Sequence, residues 1–149
     1  MAMGLFGKLF SKSPGPATMT LEGEGLSPLS NPTEDDVRQA VLGLARSGTS
    51  FVSLADETGN YVQVAGSRPW CVLERRQVAP PLHERAFQET PSPKYADGAK
   101  ISTGAGDIIM KSDEWFLLKD AADVFVAFLN RQAPPVHIQW RSLNEMLGL

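Results

Sequence analysis

Cys71, His83 and His137 are the chain's only cysteine and its only two histidines. A thiolate beside an imidazole would make a nucleophile with its base, and such pairs meet in space rather than in sequence. Cys71, however, lies in the apolar run Trp70-Cys71-Val72-Leu73, where a thiol behaves as a small buried hydrophobe and stays protonated. Neither histidine belongs to an H-E-x-x-H or C-x-x-C arrangement, so no metal site is expected. His83, in Pro81-Leu82-His83-Glu84-Arg85, reads as a surface residue beside opposite charges. Gly104-Ala105-Gly106 lacks the third glycine of a dinucleotide fingerprint, because Ile109 stands there and strand-like residues follow. These glycines read as a flexible loop, and no cofactor is expected.

Carboxylates are numerous but scattered. Glu34, Asp35 and Asp36 form the densest run, which helix capping explains. Glu74 interrupts an otherwise apolar strand. Strand alternation puts Trp70, Val72 and Glu74 on one side and Cys71, Leu73 and Arg75 on the other. In the preceding strand Tyr61 and Gln63 share the face opposite Val62 and Val64. Tyr61 and Gln63, with either Glu74 or Arg75, are thus expected to line one half-exposed sheet surface. Such a mixed aromatic and polar patch suits a protein partner, and it equally suits ordinary cross-strand pairs on a solvated face. Trp115 and Trp140 flank apolar runs and are expected in the core or at its rim.

The elements that must position these residues are legible in outline. Residues 1–32 read as a tail and a Pro/Gly/Ser-rich linker. Leu5, Phe6, Leu9 and Phe10 recur at helical spacing beside Lys8 and Lys12, a pattern that suits a weak membrane contact. Residues 33–149 read as one domain. Thr33, with Asp36 three residues on, starts a helix whose apolar stripe is Val37, Val41, Leu44 and Ala45, ending at Gly48. Ser50–Leu54, Tyr61–Ala65 and Trp70–Arg76 read as an antiparallel meander, joined through turn residues Asp56, Gly59, Asn60, Gly66 and Pro69. Pro80 and Pro81 read as a break, Leu82–Gln88 as one or two helical turns, and 90–106 as a long loop. Strand-like pieces follow at Asp107–Met110 and Trp115–Leu118. A second helix has Asp120 as its cap and Val124, Phe125, Phe128 and Leu129 on its buried side. Val136–Trp140 reads as a last strand, and Ser142 with Glu145 as the capping box of a short final helix. The sum is an α+β fold: an antiparallel sheet with helices packed on one face, the other open.

The 149 residues suit one domain, and 42% hydrophobic residues suffice for a core. The net charge is −3; setting aside Lys8 and Lys12 of the tail leaves 12 basic against 17 acidic side chains, a net of −5. An acidic body is a poor match for phosphate backbones, so nucleic acid is not an expected partner. A lone cysteine and a start without a signal-peptide core point to a cytoplasmic protein, and no apolar run reaches the roughly 18 residues of a membrane span.

The stretch Leu118-Lys119-Asp120-Ala121-Ala122-Asp123-Val124-Phe125-Val126-Ala127-Phe128-Leu129, continuing through Pro135-Val136-His137-Ile138-Gln139-Trp140, resembles the ending of many immunity proteins of bacterial polymorphic toxin systems. Phe51–Glu74, with Tyr61-Val62-Gln63 and a strand ending at Glu74, is similar to small proteins of the same kind. The resemblance implies a non-catalytic protein that binds a cognate toxin and blocks its active site. The order of elements also resembles type III secretion chaperones, which implies a dimer holding an effector segment. An enzyme using Tyr61, Glu74 or His83 and a membrane-peripheral protein are the other readings.

Overall fold

The computed structural model describes residues 18–46, 48–66 and 68–149. The tail residues Leu5, Phe6, Leu9 and Phe10 lie outside this range.

The centre of the fold is the expected meander: β3 (Phe51–Ala55), β4 (Tyr61–Gly66) and β5 (Trp70–Gln77), antiparallel and in unbroken register. The β3–β4 turn is tied by Asp56, whose carboxylate accepts from the backbone N–H of Thr58 and Asn60 and from both of their side chains. At Gly66 the chain passes so close to Trp70 and Cys71 that a Cβ would overlap their backbone.

Two segments extend this sheet beyond expectation. Thr20–Ser30 falls within the stretch read as a connector, yet it forms a hairpin of β1 (Thr20–Gly23) and β2 (Leu26–Ser30), with β1 paired to β3. The sheet therefore starts upstream of the boundary expected at Thr33. Every β2 residue is exposed and only Leu21 of β1 is fully buried, so the hairpin rests on backbone pairing and leaves little hydrophobic pattern. Pro28 is tolerated there because β2 is an edge strand. Leu82–Phe87, expected as helical turns, is strand β6, and Pro80 and Pro81 belong to the turn joining it to β5. Its side chains alternate, but three of the six are charged or histidine, which hides the period-2 signal.

The sheet order is β10-β6-β5-β4-β3-β1-β2, with β9 (Phe116–Leu117) continuing the β6 side along the start of β5. β10 is Gln139–Ser142, later than the expected Val136–Trp140; Val136 is solvent-exposed and Ile138 is the buried residue of that run. A separate hairpin pairs β7 (Lys100–Thr103) with β8 (Gly106–Ile109). Gly104 and Ala105 form its two-residue turn, so the Gly-Ala-Gly run is neither a flexible loop nor a phosphate cradle.

Helix α1 (Glu34–Leu42) opens on the expected capping box: Thr33 Oγ1 accepts from Asp36 N–H and the Asp36 carboxylate accepts from Thr33 N–H. It stops at Gly43, before the expected Gly48. Helix α2 (Leu118–Leu129) follows β9 directly and has no side-chain cap; Asp120 sits in its first turn instead. Helix α3 (Asn144–Leu147) has Leu143 as its N-cap residue and no capping box, although Ser142 Oγ accepts from Asn144 N–H. None of these helices is long and apolar enough to cross a membrane.

Helices α1 and α2 cover one sheet face. There Val37, Val41, Ala121, Val124 and Phe125 pack on Leu54, Val62, Val64 and Leu73, and the positions that face them alternate along each strand. The opposite face, expected to be open, is covered in part. Ile101, Met110 and Trp115 form a second cluster with Ala65 and Val72, and Tyr95 stacks on Trp115 at 3.9 Å.

Candidate functional site

The β5–β6 hairpin is the chemically densest part of the chain, and its register sorts the charges. Glu74 pairs with Arg85 and points to the far face; Arg75 pairs with Glu84 and points to the helix face. Alternation thus builds two charged sites back to back from consecutive residues.

On the far face the charges form a ladder. Glu74 Oε1 lies 2.8 Å from His83 Nε2, and Glu74 Oε2 accepts from Arg85 Nε at 2.8 Å. Arg85 Nη1 reaches Glu114 Oε1 at 3.3 Å and the Ile109 carbonyl at 3.1 Å. Glu114 also accepts from Lys111 N–H and from Arg141, which in turn grips Asp113 with both terminal nitrogens. His83, Arg85 and Glu114 are all buried. Burial pushes the Glu74 carboxyl up, but the hydrogen bond from His83 and the charge of Arg85 outweigh it and hold it below its ordinary range. Hydrogen bonding to Asp113, chiefly, pushes the Arg141 guanidinium up against its own desolvation. Because each buried charge meets an opposite one, the ladder ties the 88–115 region and β10 to the sheet.

On the helix face lies a cleft of about 320 Å³ between the end of α2 and strands β4, β5, β6 and β10. Val62, Leu82, Val124, Phe128 and Pro134 form apolar walls, and the polar lining includes Asn60, Arg75, Arg76, Gln77, Glu84, Gln132 and the Trp140 indole. Arg75 Nε donates to Glu84 at 2.7 Å, and its guanidinium lies over the Trp140 ring at 4.2 Å. Among the described residues no acceptor meets its Nη1 or Nη2. The volume is at the lower end of the range for small-ligand pockets and also fits one side chain of a partner.

Tyr61 and Gln63, expected to share a surface with either Glu74 or Arg75, do so with Glu74 on the far face, while Arg75 lies on the other. The shared face is not a half-exposed patch. Tyr61 is buried edge-on against His83 at 6.3 Å, with its phenol pushed up to about 12 by burial and, secondarily, by Glu74. Gln63 is half-buried beside a small hollow bounded by Phe51 and Thr103, and Glu74 is inside the ladder. Cys71 and His83 lie on opposite sides of the sheet and do not meet. Cys71 is fully buried, its thiol pushed up by burial and close to the Phe116 carbonyl. His83 is buried rather than on the surface, and His137 is exposed, 3.7 Å from Asp120. No group of three or more His, Cys, Asp or Glu side chains placed to hold a metal ion occurs among the described residues.

Sequence reasoning missed Glu84, Arg85, Glu114, Trp140 and Arg141. The first two had a signal: Glu74-Arg75 and Glu84-Arg85 carry opposite charges in an order that only an antiparallel hairpin pairs on both faces. No known protein family matches the chain, and no curated protein matches it.

Proposed function

We propose that this is a non-catalytic protein-binding module of the immunity type, which neutralises a partner toxin by occupying part of its surface. The observation that supports it is Arg75 in the helix-face cleft. Arginine and tryptophan are the residue types most enriched among interface anchors. Here an arginine is held in place by a tryptophan face and a glutamate while its terminal nitrogens keep hydrogen bonds to offer. The acidic body, −5 outside the first twelve residues, favours a basic partner at long range. The resemblance of residues 118–129 and 135–140 to immunity-protein endings is what suggests the biological role. The reading is tested by co-expression with a toxin encoded beside the gene: cells should survive, and survival should fail for Arg75→Gln. Death with the wild-type chain present would overturn it.

A second reading, a chaperone holding an extended effector segment, draws on β2. This edge strand is exposed along its whole length, with Leu26 and Leu29 at 41%, and an extended peptide can add to such an edge. Homodimers that bind a peptide through β2 would favour it; a strict monomer would count against it.

A further inference from the structure

The same cleft specifies the chemistry of what enters it, if the protein-binding reading holds. Of the Arg75–Glu84 pair, the glutamate is the more deeply placed, its side chain 15% exposed against 36% for the arginine. The accessible charge of this pair is therefore the guanidinium, and Arg76 adds a second cation to the lining. Glu84 takes its Nε edge and Trp140 one of its faces, which leaves the Nη1/Nη2 end as a planar fork. That fork geometry matches the two oxygens of a carboxylate. The walls contributed by Val62, Val124 and Phe128 are apolar, which suits an apolar group beside the carboxylate. An isolated phosphate would leave those walls uncovered, and a cation would meet Arg75 before Glu84.

We propose that the cleft receives an acidic side chain of the partner protein, with a neighbouring apolar side chain of the partner filling the space against Phe128. The acidic body disfavours a partner that is acidic throughout. The occupant is thus a single carboxylate on an otherwise neutral or basic surface. Trp140 carries the reporter, since its indole Nε1–H is buried with no acceptor among the described residues and its ring lies against the cation.

The test uses the full chain and three probes in an NMR titration that follows the Trp140 indole and the Val124 methyls. The probes are blocked acetyl-Glu-Phe-amide, its Gln-Phe counterpart, and free phenylacetate. The Glu-Phe probe should shift these signals saturably, with the Gln-Phe probe about tenfold weaker, the equivalent of about 1.4 kcal/mol for one charge-assisted contact. Arg75→Gln should abolish the difference between the two peptides. Arg75→Lys, which keeps the charge but not the fork, should retain only part of it. Equal binding of the two peptides, or none by either at tens of millimolar, would overturn the proposal. Tighter binding of phenylacetate than of the Glu-Phe probe would also overturn it, making the cleft a site for a small free acid. None of these outcomes depends on a partner having been found. A cleft that passes while toxin protection fails would separate this inference from the immunity role.

Discussion

The two faces of the β5–β6 hairpin carry the same residue types to opposite ends. Behind the sheet, Arg85 and Arg141 divide their hydrogen bonds among Glu74, Glu114, Asp113 and a backbone carbonyl, and Arg141 also stacks on Phe87. In front, Arg75 also has a carboxylate and an aromatic ring, but one carboxylate contact instead of several, and it faces a cavity. Charge and aromaticity therefore do not mark a functional residue in this fold. What sets Arg75 apart from Arg85 and Arg141 is hydrogen-bonding capacity left unfilled, among the described residues, beside an unfilled volume. The ladder's arginines are each paired more than once, whereas Arg75 has a single carboxylate contact.

That contrast is open to direct attack. The largest effect should come from Glu114→Ala, which strands Arg85 and loosens Arg141. Removing one partner of a buried pair costs about 3–5 kcal/mol, and urea unfolding should register most of it; a loss under about 1 kcal/mol would deny the ladder its role. Acid should act on the same network. The Glu74 carboxyl in the folded chain lies below its ordinary 4.5, so its contribution is complete above that value and disappears as pH falls through the lower folded-state value. Stability should thus decline below about pH 4.5, and Glu74→Gln should flatten that limb of the profile. In the cleft, Arg75→Gln should lower stability by no more than about 1 kcal/mol, given a partly exposed pair and one cation–π contact, while removing binding. A larger stability loss would make Arg75 another structural arginine. The smallest effect belongs to Arg38→Ala. Its pair with Asp123 is exposed, at 41% and 47%, and thermal melts should place the change within about 0.5 kcal/mol.

The parts of the fold legible in the sequence were those that bury a periodic apolar face. The meander strands and α2 each present Val, Leu or Phe at a regular spacing to one core, and the Thr33 cap is local chemistry that needs no tertiary context. What stayed hidden was held by backbone pairing or by charge. β1–β2 exposes most of its side chains, and β6 pairs His83, Glu84 and Arg85 with charged neighbours, which leaves little hydrophobic pattern. The candidate site was half legible for the same reason. Alternation placed Tyr61 and Gln63 on one face with either Glu74 or Arg75, but it could not say which, nor that Glu114 and Arg141, arriving from distant segments, would close over that face. Nor could it say that Phe128 and Trp140 would leave room in front of Arg75.

The most direct measurement is quantitative affinity capture from the native cells, comparing the wild-type chain with Arg75→Gln at matched stability. A stoichiometric protein partner that is retained by the wild type and weakened at least about tenfold by Arg75→Gln is the result required by binding through the cleft. A partner held equally well by both chains would contradict it and move the interface elsewhere, with the exposed edge of β2 the next place to test.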